Sequence, residues 1–170
     1  MVSSSSNGSW NEMCEYCGCQ ALAAVAELTA EHDAVVALVA QVRAALGSGR
    51  TDDAAALCRS ISAVMGPHTY VEERGLFPAL ADSFPDHVEA LTAEHGTIER
   101  VLAEAAWSTP VDPGWPERLL RTLDLLRQHI LKEQDGVFPA ALAELSPQQW
   151  DSIDKVRAEA GAPAASGAAR

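Results

Sequence analysis

His68-Thr69-Tyr70-Val71-Glu72-Glu73-Arg74-Gly75-Leu76-Phe77-Pro78-Ala79 occurs a second time in the chain, as His129-Ile130-Leu131-Lys132-Glu133-Gln134-Asp135-Gly136-Val137-Phe138-Pro139-Ala140. Both copies read His-x3-Glu-x2-Gly-(Leu/Val)-Phe-Pro-Ala, and their shared positions are offset by 61. A shorter repeat, Leu-Thr-Ala-Glu-His, precedes each copy at residues 28–32 and 91–95, offset by 63. The chain is therefore a duplicated unit.

The size and charge of the chain limit what it can be. Its 170 residues suffice for one domain with a sizeable core. The net charge of −12 argues against nucleic acid or an anionic membrane as partner, because both need a basic surface. No apolar run reaches the roughly 18–20 residues of a membrane span, and residues 1–9 lack the features of a secretory signal. We therefore expect a cytoplasmic location.

The spacing of apolar residues predicts an all-α protein. Apolar positions recur every three or four residues in four long segments, which predicts an antiparallel up-down-up-down four-helix bundle over residues 20–145. Residues 1–19 are expected to be a flexible leader with a Cys-rich arm, and residues 146–170 a short helix and a disordered tail. Thr51 is expected to cap the second helix, and Ser146 to cap the short helix near the end. Pro67 is expected to kink or break the second helix, and the two Phe-Pro pairs to plug the core and stop their helices.

The histidines and glutamates of the repeats predict a buried metal site. His68 and Glu72 are four residues apart, as are His129 and Glu133, so each pair lies on one helix face. Each pair continues an apolar stripe, and so does the histidine of each shorter repeat. Burying such groups without compensation would cost several kcal/mol each, which a cation avoids. The predicted ligands are His32, His68, Glu72, His95, His129 and Glu133.

The number of these groups suits two metal ions. Each glutamate can bridge, each metal takes two histidines, and a water, hydroxide or oxide can complete the bridge. Mixed nitrogen and oxygen ligation with open positions favours iron, with manganese or zinc less suitable. A single zinc site would need only three or four ligands.

These residues resemble the hemerythrin-like, or HHE cation-binding, family over about residues 20–142. The order of His32, His68 to Glu72, His95, and His129 to Glu133 is similar to a bacterial subgroup with the pattern H, HxxxE, H, HxxxE. The resemblance implies a non-haem di-iron centre, oxo- or hydroxo-bridged, inside the bundle.

The sequence departs from the oxygen-carrying members of that family. Those proteins have a His-x3-His pair on the third helix, whereas here Leu91 lies four residues before His95 and Glu99 four residues after it. Glu99 is therefore considered as a third protein ligand to one iron, with a solvent-facing acid as the alternative. Fewer imidazoles and more open positions favour turnover of oxygen or peroxide over reversible carriage.

Three cysteines lie outside the family pattern. Cys14, Cys17 and Cys19 could bind a metal, form a redox disulfide, act as reducing thiols or gate access to the irons; a thiol-bearing arm without such a role is the alternative. Three thiols are one short of a closed zinc site, and we do not expect Cys58 or His87 to supply the fourth ligand.

Three functions are compatible with these patterns. We favour a di-iron oxidoreductase that turns over dioxygen or hydrogen peroxide, catalase-like or as a small-molecule oxidase, with an electron donor as a further partner. The alternative is a protein that binds, senses or stores dioxygen, nitric oxide or iron without turnover. The third is a structural bundle with an incidental ion.

Overall fold

The computed structural model describes residues 19–161. The described residues form helices joined by short connections, with no strand among them. None of these helices is long and apolar enough to cross a membrane. The elements are α1 (Cys19–Gly47), α2 (Thr51–Val71), π1 (Glu72–Leu76), α3 (Phe77–Leu80), α4 (Pro85–Ala103), α5 (Trp115–Lys132), π2 (Glu133–Val137), α6 (Phe138–Glu144) and α7 (Pro147–Ala160).

Two helix starts test the capping predictions differently. Ser146 caps α7 as predicted: its side chain accepts from the backbone N–H of Gln149, whose side chain accepts from the Ser146 N–H in return. The predicted cap at Thr51 is wrong, because Thr51 is already helical and Arg50 precedes it without a side-chain cap.

The predicted breaks at proline are also wrong. The helix α2 continues through Pro67, which is exposed, so water can satisfy the carbonyl that the proline ring leaves free. Instead of stopping at Phe77-Pro78 and Phe138-Pro139, both helices widen into π1 and π2 and continue as α3 and α6. Each proline then lies in the first turn of its continuing helix, where a missing N–H does little harm.

Both π-helical turns begin at a glutamate of the repeat. The backbone N–H of Phe77 donates to the Glu72 carbonyl five residues earlier, and Phe138 donates to Glu133 in the same way. This wider turn leaves each glutamate and the phenylalanine five residues later buried. π-Helical turns inside α-helices are frequent at functional sites.

The interior is divided into two apolar clusters. One contains Val35, Met65, Ile98 and Leu126 and runs towards the α1–α2 connection. The other contains residues nearer the start of α1 and the ends of α3 and α6, together with α7. Along α1, Leu28 belongs to the second cluster and Val35 to the first, and His32 lies between them. The buried polar residues of the repeats therefore form a layer between two apolar layers.

The last helix, α7, packs on the first half of the repeat. Trp150 and Ile153 are buried in the second apolar cluster. A Cβ atom placed on Gly75 would lie 3.4 Å from the Cα of Ile153, so glycine allows α7 to approach π1 closely. The equivalent glycine of the second half, Gly136, has nothing within 4 Å of its Cβ position.

This difference yields a matched pair of substitutions. Gly75→Val should lower the free energy of unfolding by about 1–3 kcal/mol more than Gly136→Val, because its methyl groups would press on the backbone of α7. Both variants carry the same change in helix propensity, so chemical denaturation of the two isolates the packing effect. Equal destabilisation would show that α7 does not depend on this contact.

Candidate metal centre

Six of the seven metal ligands predicted from the sequence come together in the polar layer. Each is buried, with a side-chain exposure of 0 or 1%. His32 lies on α1, His95 on α4, and the two His-x3-Glu pairs lie where α2 meets π1 and where α5 meets π2. The six residues are His32, His68, Glu72, His95, His129 and Glu133.

The layer divides into two groups that could each hold a metal ion. The first consists of His32, His68, Glu72 and Glu133, and the second of Glu72, His95, His129 and Glu133. Within each group, one ligand atom per residue lies within 4.8 Å of the others. Both glutamates belong to both groups, which is the position that bridging carboxylates would take.

The distances show how closely the side chains converge. Glu133 lies 3.1 Å from the Nε2 atom of His32 through one oxygen and 3.0 Å from that of His129 through the other. A single oxygen of Glu72 lies 3.3 Å from His68 Nε2 and 3.4 Å from His95 Nε2. Each glutamate therefore contacts one histidine of each group.

An outer set of carboxylates fixes three of the four imidazoles. The Nδ1–H groups of His68, His95 and His129 donate to carboxylates at distances of 2.8–3.0 Å. Because a carboxylate can only accept, each of these Nδ1 atoms carries the proton, and Nε2 faces the layer. The acceptors, in the same order, are Glu31, Glu73 and Glu94.

Two of the inward-facing Nε2 atoms lie too close together for two unprotonated nitrogens. The Nε2 atoms of His95 and His129 are 2.8 Å apart. With both Nδ1 atoms protonated, two neutral rings would bring their lone pairs face to face. A shared proton or a bound cation is needed between them.

Other buried atoms of the layer also lack hydrogen-bond partners. Both ring nitrogens of His32, Nε2 of His68, and all four carboxylate oxygens of Glu72 and Glu133 make no hydrogen bond. Buried polar atoms are rarely left without partners. Imidazole nitrogens and carboxylate oxygens are ligands for iron and related cations, so the donor set fits the implied metal pair.

Opposite charges in the layer shift the pKa values of one another. Burial lowers the pKa of His68, but the carboxylates of Glu72 and Glu31 outweigh it and raise this pKa to about 10. The pKa of His95 is also raised, because Glu72 outweighs burial. Burial raises the pKa of Glu72, but His68 and His95 hold it well below its usual range. Protons on imidazole thus balance the carboxylates, and a metal cation would displace them, because a ligating imidazole must be neutral.

Two phenylalanine rings cover the layer. Phe138 stacks on His32 with ring centroids 5.5 Å apart, and Phe77 stacks on His95 at 5.6 Å. Each ring comes from the residue that closes a π-helical turn. The rings exclude water from the imidazoles, which strengthens the electrostatic interactions inside the layer.

Two positively charged side chains bind two of the outer carboxylates. Arg157 of α7 contacts Glu31 at 2.7 and 3.2 Å, and Lys132 of α5 contacts Glu94. For both glutamates burial raises the pKa, but their hydrogen bonds to histidine and to these cations lower it below its usual range. Both acceptors therefore remain charged at neutral pH.

The expectation for Glu99 is not met. Its side chain is exposed, whereas its neighbour Ile98 is buried in the first apolar cluster. The burial of Ile98 and Leu102 sets the inward face of α4 beyond His95, and Glu99 falls outside that face. The two groups are consequently alike in composition, each with two histidines and two shared glutamates.

Among the four cysteines, the structure describes the side chain of Cys58 only. The Cys14 and Cys17 predictions lie outside the described residues, and for Cys19 only its place at the start of α1 is described. Cys58 is buried in the first apolar cluster, where burial raises the pKa of its thiol to about 11, which disfavours a metal-binding thiolate. His87 is exposed.

The outer carboxylates are functional residues that the sequence prediction missed. Glu31 and Glu94 are the fourth residues of the two Leu-Thr-Ala-Glu-His repeats. Their repetition beside a predicted ligand is the sequence signal that could have identified them. Glu73 has no such signal, because its counterpart in the second half is Gln134. His32, which would face Gln134 by this equivalence, has no partner at Nδ1.

Removing an outer carboxylate should weaken metal binding without removing a ligand. Glu94→Ala is expected to lower metal affinity by about 10–100-fold, because His129 loses the acceptor that orients its ring. Glu99→Ala, on the same helix but exposed, is the control and should bind metal as the unaltered chain does. Affinity is measured by competition with a chelator of known strength, and equal affinities in both variants would contradict the orienting role.

Comparison with known proteins supports this description. The family model of the hemerythrin HHE cation binding domain matches residues 23–141, which include every residue of both groups. Searches of curated proteins and of solved structures found no match.

Proposed function

The chain belongs to the hemerythrin HHE cation-binding family, and from that premise we propose that it is a di-iron oxidoreductase that binds and turns over dioxygen or hydrogen peroxide. The observation that carries the proposal is the sharing of Glu72 and Glu133 between two histidine pairs. Two iron ions held there would supply redox chemistry with oxygen or peroxide.

The small number of ligands supports turnover. Each group offers four protein side chains, and Glu99 adds none. Iron commonly takes six ligands, so each ion would keep positions for a small molecule. His32, His68, His95 and His129 would hold the ions, and Glu72 and Glu133, which belong to both groups, would be shared between them.

The surroundings favour a very small substrate. The six proposed ligands have almost no exposure, and apolar clusters lie on both sides of the layer. Dioxygen and hydrogen peroxide are small enough to reach such a site through transient openings, whereas a large substrate is not. Reducing equivalents would then arrive through an electron donor or the thiols of the leader.

The same features support the finer points of the fold and location. Along α1 and α4 the chain passes from the second apolar cluster to the first, and along α2 and α5 it returns. This alternation supports the antiparallel up-down-up-down arrangement.

We retain a cytoplasmic location as part of the proposal, because free thiols are kept reduced there.

A second function uses the same residues without turnover. The chain could bind, sense or store dioxygen, nitric oxide or iron. The complete burial of the layer is the observation that favours it, because a sealed site retains a bound molecule. Whether peroxide is consumed separates the two functions.

The first test joins metal content to peroxide turnover. The purified chain should contain about two irons and evolve oxygen from hydrogen peroxide. Glu72→Ala and Glu133→Ala should each lose most of the iron and all turnover, because each carboxylate serves both groups. Glu99→Ala is the control and should keep both properties.

The outcomes have distinct meanings. Full iron content in both glutamate variants would disprove the assignment of the metal pair. Two irons without oxygen evolution would exclude catalase-like turnover and would leave an oxidase of a small molecule or the binding, sensing or storage function, which oxygen consumption with reducing substrates distinguishes.

The thiols make a separate prediction. A triple variant with Cys14, Cys17 and Cys19 changed to serine should keep its iron but lose turnover or re-reduction, if these thiols serve the metal pair. The measurement compares iron content, peroxide consumption and the rate of return to the reduced state. Unchanged kinetics would exclude a role for these thiols in the reaction.

A further inference from the structure

An apolar groove that no residue of the described range 19–161 fills lies between α4 and α5–π2–α6, on the second half of the repeat. Its volume is about 330 Å³, which falls within the range of small-molecule pockets. We call it the α4–α5 groove. Its lining includes Phe77, Phe84, Val88, Leu91, Gly136 and Val137.

The first half contains the counterpart of this groove, and there it is filled. The offsets of the repeats relate Leu91 to Leu28 and Gly136 to Gly75. Leu28 shares the second apolar cluster with Trp150 and Ile153 of α7. The α7 helix therefore occupies in the first half the space that remains open in the second.

The filled groove indicates the chemistry that the open one accepts. On the first half, the branched aliphatic chain of Ile153 lies against Gly75, and the indole of Trp150, one turn earlier on α7, is buried in the same apolar cluster. The lining of the groove includes two basic side chains, those of His87 and Lys132. His87 is exposed and edge-on to Phe84, and the Lys132 amine is paired with Glu94, so neither is a free buried charge for an ionic ligand.

The floor of the groove reaches the polar layer. Phe77 lines the groove on one side and stacks on His95 on the other. A molecule in the groove would therefore lie one ring away from the second group of proposed ligands.

We propose that the α4–α5 groove is a binding site for one compact, uncharged aromatic molecule about the size of an indole. The inference goes beyond the proposed function and does not depend on it, because the groove is formed by side chains that hold no metal. Binding is consequently measured on the protein as purified, with its metal content recorded.

The test uses 1-aminoanthracene, an uncharged dye whose fluorescence rises in apolar surroundings, with the full-length chain as purified. We expect saturable binding at one site per chain and displacement by indole. Gly136→Trp should weaken binding by about tenfold or more, because Gly136 lines the groove and its new side chain would fill the space. The equivalent space at Gly75 is filled by Ile153. Ala140→Trp, at another lining position, should weaken binding likewise.

Gly96→Trp is the matched control. Gly96 lies on α4, its Cβ position has nothing within 4 Å, and it does not line the groove. This variant should bind the dye as the unaltered chain does, and circular dichroism should give the same helix content for all three variants.

Several results would overturn the proposal. Unchanged dye binding in both groove variants would place the dye elsewhere. Binding that appears only after residues 1–18 are removed would show that the chain's own leader fills the groove. Binding that falls as the chain self-associates would make the groove an interface between copies. Iron content and peroxide turnover, measured separately, keep these results distinct from failure of the proposed function.

Discussion

The compensation of buried charge in the polar layer is the constraint on which the structure depends. Four imidazoles and two carboxylates are enclosed between two apolar clusters, and several of their atoms have no hydrogen-bond partner. An uncompensated buried charge costs several kcal/mol, a large fraction of the stability of a domain this size. Neither half of the duplication completes a group by itself, because Glu72 and Glu133 are each needed on both sides. The duplicated halves are thereby tied to one another through their metal-binding chemistry.

Outside this layer the two halves have diverged. Glu31 binds Arg157 from α7. Glu94 instead binds Lys132, which lies on α5 together with His129, the histidine that Glu94 orients. One groove is closed by α7, and its counterpart is open. Two groups with the same inner ligands therefore have different access and different outer electrostatics.

Several details could not be predicted because they depend on neighbouring helices. The offset of four residues placed Glu99 near the face of His95, but the packing of Ile98 and Leu102 turns it outwards. The proline at position 78 was expected to stop its helix, yet a wider turn accommodates it while keeping Phe77 buried. Local preference alone cannot decide between a stop and a π-helical turn, because the burial of the phenylalanine supplies the difference.

The sequence by itself determined the helical class and the six inward-facing residues of the layer. It could do so because residues three or four apart lie on the same face of a helix, and each repeat places its histidine and glutamate on the apolar face. The tertiary structure alone decided which carboxylates orient the imidazoles, that Glu99 stays outside, and which groove α7 fills. Those outcomes depend on side chains from helices far apart in the chain, and no local pattern encodes the distances between them.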